Sequence, residues 1–335
     1  MPIIILLSIF SVFPFLSVSS AVEASACNSA YATDSCFIVN TLRNAPADAD
    51  ELYFARLFLG RPYVAHTLEV NDKEQLVVNT RELDCTTLIE NVTALTLCAH
   101  RGEKTFQSFR RQLQQLRYYQ GRLTDYTSRL HYFSEWIDDK SKMGLVSEVQ
   151  QPTTVFTAVQ TLNINYMSTH AKSYKALAAH PDFVPVIARQ EQSLTGHKYR
   201  YIPKNEVVDS PALRQAIHDG DIIAITCSKP GLDIAHLGFA VWRKDGLHLL
   251  NASQLHKKVV EESMTLGEYL KKHPSHTGIR VVRIKIHNER VVQSPTLNGS
   301  FPPFAGTSLS VALTSLNPFA NVYSVTPFLK MEISR

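Results

Sequence analysis

The sequence carries little charge near either end and few residues that bind metals. No Lys or Arg precedes Arg43, and no charged residue lies between Arg290 and Lys330. No run of five basic residues occurs, and the formal net charge is only +4, so a nucleic-acid partner is not expected. The Cys-x-x-Cys and His-x-x-x-His spacings are missing, so a metal site is not expected.

The N-terminus holds an apolar run followed by small residues. The run from Ile3 to Val18 is broken only by serines and one proline, and small residues follow it. This pattern predicts a secretory signal peptide over residues 1–26, cleaved after Ala21 or Ala26, with an uncleaved signal anchor as the alternative. No other stretch reaches the ~20 apolar residues that a bilayer span requires. We therefore expect an exported, periplasmic protein without a transmembrane segment.

Cysteine is scarce and its count is odd. The five residues are Cys27, Cys36, Cys85, Cys98 and Cys227. In an oxidising compartment Cys27 and Cys36 are close enough in sequence to form a disulfide, and the odd count of five leaves at least one thiol unpaired. Cys27 also follows Ala-Ser-Ala, a partial lipoprotein cleavage box, so a lipid anchor at Cys27 is an alternative.

The distribution of helix and strand signals divides the chain. Residues 27–47 show little periodicity, which indicates a loose N-terminal segment. Residues 48–286 hold helical patterns first and strand patterns later, which predicts an α+β fold with helices packed on an antiparallel sheet. Residues 287–335 are rich in proline and nearly uncharged, and we interpret them as a C-terminal extension without catalytic motifs.

Local patterns predict individual elements of this domain. Helical spacing occurs in residues 86–98, after the possible cap Asp84, and again in 106–116 and 126–137. Strand signals lie in residues 76–79, 221–226, 236–243, 247–253 and 280–286, and Asp245-Gly246 is a hairpin turn signal. The last of these strands alternates charged and apolar residues, as a half-buried strand does.

Cys85 is the strongest candidate for a catalytic residue. It follows Asp84, so it would lie in the first turn of a helix, where a thiol pKa falls below its usual ~8.5. His236 at a strand start and Asn251 on the next strand would complete a thiol, imidazole and amide set. A lone cysteine is more often a small buried hydrophobic residue, so the hypothesis requires that the fold bring the three together.

Five segments in this order resemble the motifs of the NlpC family, which are papain-like bacterial cell-wall cysteine hydrolases. These segments are Gly60-Arg61-Pro62-Tyr63, Asp84-Cys85-Thr86-Thr87-Leu88, Gly220-Asp221-Ile222-Ile223, His236-Leu237-Gly238-Phe239-Ala240-Val241 and Leu250-Asn251-Ala252-Ser253. Residues 126–136 and 231–236 are similar to the N-acetylmuramoyl-L-alanine amidase-like branch. The resemblance covers residues 48–286 and implies a papain-like fold with a helical insertion, about 103–200, between Cys85 and His236.

The resemblance also implies an activity and a role for each site residue. Cys85 would be the nucleophile, His236 the base and Asn251 the third polar residue, with Tyr63 beside the substrate and the oxyanion site. The implied reaction cleaves the amide between N-acetylmuramic acid and L-Ala of the stem peptide, on muropeptide fragments. Such an enzyme needs no cofactor, and we expect a monomer. The chain departs from the family at Thr86-Thr87, where common members have Ser-Gly.

Further substrate contacts are predicted from polar and aromatic residues near the motifs. Asp84 and Asp233 flank the proposed catalytic pair, and Arg129, Tyr132 and Tyr201 would line the groove. A helix with one core face and one solvated face would produce the same aromatic and basic cluster. Three other functions stay open: an endopeptidase cutting the γ-D-glutamyl-diamino acid bond, a wall-binding protein without turnover, and a thiol-redox protein.

Overall fold

An antiparallel sheet lies between two groups of helices in the computed structural model, which describes residues 29–286. The helices are α1 (Ala30–Asn44), α2 (Glu51–Arg56), α3 (Cys85–His100), α4 (Phe106–Arg117), α5 (Phe133–Lys142), α6 (Tyr166–Thr169), α7 (Lys175–Ala179), α8 (Val184–Leu194), α9 (Pro211–Ala216) and α10 (Leu266–Lys271). The strands are β1 (Val146–Val149), β2 (Ala158–Thr161), β3 (Lys198–Pro203), β4 (Ile222–Cys227), β5 (Ile234–Arg243), β6 (Gly246–Ser253), β7 (Lys258–Glu261) and β8 (His276–Ile284). The predicted signal peptide, Cys27 and the predicted extension 287–335 lie outside the described residues.

The sheet has the strand order β2-β3-β8-β4-β5-β6-β7, and β1 also pairs with β8. All of these strand pairs are antiparallel. The predicted α+β architecture is therefore confirmed. The predicted hairpin between β5 and β6 is present as well, although Arg243 pairs with Gly246, so that Lys244 and Asp245 form the turn.

Alternation along the strands buries both faces of the sheet. In β4, Ile222 and Ala224 pack with helices α1 to α5, whereas Ile223 and Ile225 pack with α9 and α10. A third, smaller core joins α6, α7 and α8. Each fully buried Leu or Ile side chain stabilises the fold by about 1.5–3 kcal/mol relative to exposure. No helix in the described range 29–286 is long and apolar enough to cross a bilayer.

The segment 27–47 is not loose as predicted, because it contains α1. Ser29 caps this helix by accepting a hydrogen bond from the Ala32 amide. The helix buries a polar residue, Asp34, together with Ile38 and Leu42. The Asp34 carboxylate accepts hydrogen bonds from the Thr80 amide and hydroxyl, at 3.0 and 2.7 Å. Polar residues on the buried face hide the apolar periodicity of this helix.

Two other predicted elements are wrong. Residues 76–79 form no strand; their extended backbone is held by side chains, since Arg117 donates to the Val77 carbonyl and Asn91 to the Asn79 carbonyl. The helix predicted over 126–137 begins only at Phe133. A tight turn capped by Asp125 precedes that helix and directs the chain back toward α4.

The last strand lies inside the sheet rather than at a half-exposed position. β8 is bordered by β4 on one side and by β1 and β3 on the other. The Arg280 side chain is fully buried and forms an ion pair with Glu148 at 2.5 Å, with a second hydrogen bond to Ser134 at 2.6 Å. The alternation of charged and apolar residues in β8 therefore reflects a buried, paired arginine and does not indicate a half-buried strand.

The region between Cys85 and His236 is less helical than predicted. Residues 103–200 include α4 to α8, but β1, β2 and the start of β3 also lie there. β1 pairs with β8 and β2 with β3, so this region extends the sheet at one edge. Strands of four residues are too short for a period of two to predict them.

Candidate active site

Cys85 is the first residue of α3, as the capping pattern predicts. The Asp84 carboxylate accepts a hydrogen bond from the Thr87 amide at 2.8 Å, and the Thr87 hydroxyl accepts one from the Asp84 amide at 2.9 Å. These two reciprocal bonds satisfy backbone donors that a helix start leaves unpaired. Thr87 therefore has a structural role at the start of this helix.

His236 and Asn251 are brought together by the hairpin of β5 and β6. His236 Nε2 lies 2.9 Å from Asn251 Oδ1. Asn251 is fully buried, whereas His236 is partly exposed. Gly238, two residues further along β5, allows close packing here, because a Cβ atom on it would lie 2.7 Å from the Leu250 carbonyl.

One cavity of about 220 Å³ has both Cys85 and His236 in its wall. The Leu237 backbone hydrogen bond to the Cys85 sulfur brings the thiol next to the residue that follows His236. The fold therefore unites the two residues that the sequence separates by 151 positions, from 85 to 236. Aromatic side chains of Phe133 and Trp136, stacked at 4.8 Å, form an apolar part of the wall.

The protein environment favours neutral forms of both groups. Burial, followed by the charge of Asp84, raises the pKa of the Cys85 thiol to about 12, although the Leu237 and Thr86 hydrogen bonds act in the opposite direction. Burial also lowers the pKa of His236, while Asn251 and then Glu262 raise it. A neutral imidazole beside a neutral thiol can accept the thiol proton as the sulfur attacks.

A second histidine, His131, lines the same cavity but is a poor candidate for the base. Burial and the nearby Arg129 charge lower the pKa of His131 to about 3. Its Nε2 atom donates to the Tyr126 carbonyl at 2.9 Å. The Tyr126 carbonyl opposes the loss of the His131 proton, but burial and the Arg129 charge outweigh it.

Three predicted substrate-binding residues are engaged in internal contacts. Arg129 forms a bidentate ion pair with Glu74, at 3.1 and 2.6 Å. The Tyr132 hydroxyl donates to Glu191 at 2.6 Å. The Asp233 carboxylate accepts a hydrogen bond from the Ser134 amide, at the start of α5, at 2.7 Å. Tyr132 and Asp233 still line the cavity with Cys85, whereas Arg129 lines a neighbouring cavity.

The remaining three predicted contacts differ in position. Burial and the proximity of Cys85 raise the pKa of the Tyr63 hydroxyl to about 12, so it stays a proton donor beside the thiol. Asp84 caps α3 directly before Cys85. Tyr201 lies on β3, packed over Gly278, and is not among the residues that line the cavity.

Sequence patterns missed four residues near this site. Glu262 accepts a hydrogen bond from Asn251 Nδ2 at 3.0 Å. The Tyr269 ring lies 6.5 Å from the His236 ring at an interplanar angle of 26°. Glu69 and Tyr126 line both the Cys85 cavity and a neighbouring cavity of about 540 Å³. Within residues 29–286, no group of three or more His, Cys, Asp or Glu side chains could hold a metal ion.

Comparison with known proteins identifies the family. Residues 53–279 match the model of the N-acetylmuramoyl-L-alanine amidase-like family. This chain belongs to that family. No curated protein matches the sequence significantly. Residues 53–279 thus form a domain of the amidase-like family of peptidoglycan hydrolases.

Three solved structures support this assignment or the fold. An N-acetylmuramoyl-L-alanine amidase from Bacteroides uniformis is 42% identical, with a TM-score of 0.66 over 70% of this chain and 97% of that one. A Bacteroides fragilis protein whose name proposes a xylanase is 41% identical, with a TM-score of 0.65 over 69% of this chain and 99% of that one. A Legionella pneumophila protein, 21% identical with a TM-score of 0.59 over 78% of this chain and 96% of that one, shares the fold.

Proposed function

We propose that this protein hydrolyses the amide bond between N-acetylmuramic acid and L-Ala in peptidoglycan fragments, with Cys85 as the nucleophile. The observation that carries the proposal is the shared cavity of Cys85 and His236, with Asn251 bonded to the imidazole. Family membership supports the class of bond. We further propose a papain-like arrangement of these three groups and export of the protein to the compartment where peptidoglycan occurs.

Attack by the thiol begins the proposed reaction. His236 Nδ1 accepts the thiol proton while the sulfur bonds to the lactyl carbonyl carbon, and the carbonyl oxygen becomes an oxyanion. Backbone amides at the start of α3 and the Tyr63 hydroxyl, whose pKa is raised by the proximity of Cys85, are the candidate donors for that charge. Asn251 holds the imidazole through Nε2, which keeps Nδ1 available for the proton.

Two proton transfers complete the cycle. The His236 imidazolium protonates the amine of L-Ala as the C–N bond breaks, which releases the stem peptide and leaves a thioester on Cys85. Water then loses a proton to His236 and attacks the thioester. The muramoyl carboxylate leaves, and the proton returns to the sulfur.

The cavity shape supports an extended substrate. The Cys85 cavity shares Glu69 and Tyr126 with its larger neighbour, so a ligand can continue past these side chains. The apolar wall of Phe133 and Trp136 suits the non-polar face of a sugar ring. Several polar groups near the thiol, by contrast, are already hydrogen-bonded within the protein, which leaves the backbone and Tyr63 to orient the scissile amide.

Digestion of purified muropeptides, with the products weighed by mass spectrometry, tests the proposal. We expect free N-acetylmuramic acid or its anhydro form together with an intact stem peptide. Cys85→Ala should abolish the products. Cys98→Ala, which removes a buried thiol from the same helix, is the matched control and should retain activity.

Other products would point to the alternatives. Cleavage between D-Glu and the diamino acid would mean an endopeptidase. Binding of fragments without products, from a folded wild-type protein, would mean a wall-binding role. Release of sugars from xylan that is unaffected by Cys85→Ala would favour the activity proposed by the name of the Bacteroides fragilis relative, which requires a pair of carboxyl groups instead of a thiol.

A further inference from the structure

We propose that Glu262 is a positioning residue for the cysteine site: its carboxylate fixes the orientation of the Asn251 amide and thereby the tautomer of His236. The inference rests on the function proposed above. Glu262 directly follows β7 and is 2% exposed. A buried carboxylate is costly unless it is paired, so its contacts call for a physical reason.

The contacts of Glu262 determine which atom of Asn251 faces His236. Glu262 Oε1 lies 3.0 Å from Asn251 Nδ2. A carboxylate only accepts hydrogen bonds, so the amide must turn its NH₂ group toward Glu262. The Asn251 oxygen then faces His236 Nε2 at 2.9 Å, and Nε2 must carry the proton. The other ring nitrogen, Nδ1, is left unprotonated and can take the proton of the thiol.

Loss of Glu262 removes the contact that distinguishes the oxygen of the Asn251 amide from its NH₂ group. A flipped amide would present its NH₂ group to Nε2 and would favour the tautomer with the proton on Nδ1. That tautomer cannot accept a proton from Cys85. The wrong imidazole tautomer is a severe loss in sites of this type, on the order of 10⁴-fold where it has been measured in a serine triad.

The surrounding structure holds Glu262 in place. Its amide donates to the Leu249 carbonyl at 2.9 Å, and its own carbonyl accepts from His248 Nδ1 at 3.0 Å. Glu262 Oε2 accepts from His256 Nε2 at 3.2 Å. The His256 side chain is 43% exposed, so a line of hydrogen-bonded groups extends from the cavity to the surface.

Glu262 also acts on the imidazole through its charge. Its carboxylate favours the protonated ring, which forms during attack. His273 opposes this effect, and Asp84 adds to it. The titratable and charged groups around Glu262 are His256, the Tyr269 ring from α10, His248 and Arg243. The last two bond the Glu262 carbonyl, at 3.0 and 3.4 Å.

Three variants separate these effects. Glu262→Gln keeps an oxygen that accepts from Asn251 but loses the charge. Glu262→Leu loses both the acceptor and the charge. The matched control is Glu261→Gln, one residue earlier, which loses surface ion pairs to Arg56 and Arg243 but has no contact with Asn251.

The readout is the rate of Cys85 alkylation by iodoacetamide against pH, followed on the Cys85 peptide by mass spectrometry. Loss of the Glu262 charge lowers the pKa of His236. At the low end of the usual effect of a neighbouring charge, about one unit, the thiolate–imidazolium pair falls about tenfold, so Glu262→Gln should react about tenfold more slowly near pH 7. Its acid limb in kcat/KM should move to lower pH. Glu262→Leu should react more slowly still, and Glu261→Gln should match wild type.

Several results would overturn the inference. A folded Glu262→Gln variant with the wild-type rate and the wild-type acid limb would remove the charge effect, and a folded Glu262→Leu variant as reactive as Glu261→Gln would remove the positioning role. If Glu262→Leu does not fold, Glu262→Ala, which also removes the acceptor of the Asn251 amide, decides the positioning role. Alkylation needs no substrate, so a failure here is distinguishable from a failure to cleave peptidoglycan.

Discussion

Replacing Asp84 by Asn should make the Cys85 thiol more reactive without unfolding the protein. Asp84 precedes the thiol directly, and after burial its charge is the largest influence that raises the pKa of Cys85. The variant retains the side-chain oxygen that accepts the Thr87 amide, now at 2.8 Å. It removes only the negative charge.

The expected magnitude follows from these contacts. A charge within ~4–6 Å of an ionisable group shifts its pKa by about 1–3 units. The Asp84 carboxylate is partly compensated by the Thr87 amide and hydroxyl, so we take the lower end, about one unit. The thiolate fraction then rises about tenfold. Asn caps helices as well as Asp does, and the lost interaction with the helix dipole costs about 0.3–1 kcal/mol.

The assay is the alkylation rate of Cys85 at pH 8, together with denaturant unfolding. Cys98 and Cys227 are buried and should react slowly in the folded protein. Asp50→Asn, at the equivalent cap of α2, is the matched control: it tests the same substitution at a helix start away from the thiol. An Asp84→Asn variant that is folded and reacts no faster than wild type would refute the electrostatic reasoning.

The remaining predictions concern pH and the buried ion pair that joins α3 to α4. Because burial lowers the pKa of His236 from its usual 6.5, the half-maximum of the acid limb of kcat/KM should lie below pH 6.5; a half-maximum above pH 7 would contradict this. Arg117→Ala leaves the Glu90 carboxylate without its partner at 2.7 Å and should lower the free energy of unfolding by about 3–5 kcal/mol. The double variant Glu90→Leu/Arg117→Leu should recover much of that loss. A loss under ~1 kcal/mol for Arg117→Ala in denaturant unfolding would count against this reasoning. Burial lowers the pKa of His276 to about 4, below its value of 6.5 in the unfolded chain. The stability that depends on a neutral His276 is therefore fully present above pH 6.5 and is lost as the pH falls toward 4. His276→Phe should therefore reduce the acid loss of stability by up to about 3 kcal/mol, and unfolding curves with the same pH dependence as wild type would contradict this.

Local sequence patterns predicted the elements around the candidate site well. The start of α3 at Cys85 follows from the capping chemistry of Asp84, and the β5–β6 hairpin follows from strand periodicity and its turn. Motif order, rather than periodicity, suggested that Cys85, His236 and Asn251 would meet. The structure brings Cys85 and His236 into one cavity and bonds His236 to Asn251, and their catalytic roles stay a prediction.

Long-range polar pairing is what the sequence patterns could not predict. Arg129 and Tyr132 were expected to face substrate, but their partners Glu74 and Glu191 lie 55 and 59 positions away. No local signal shows that a charge 55 residues distant will be buried beside it. Asp34 hid α1 for the same reason, because its partner Thr80 belongs to another segment.

The structure describes only one of the two cysteines in the predicted disulfide. Cys36, in α1, is disulfide-bonded, whereas Cys85, Cys98 and Cys227 are free thiols. Cys27 lies outside the described residues, so its pairing with Cys36 stays a prediction, as does the lipid anchor. Oxidising conditions that form such a bond agree with the proposed export.

The covalent intermediate tests the central claim most directly. An acid quench during turnover of an anhydro-muropeptide, followed by mass analysis of the digested enzyme, would show which residue carries an acyl group and which part of the substrate is attached. We predict the muramoyl group, without the stem peptide, on the Cys85 peptide. An adduct on another residue, an adduct that carries the stem peptide, or product formation by Cys85→Ala would contradict the account.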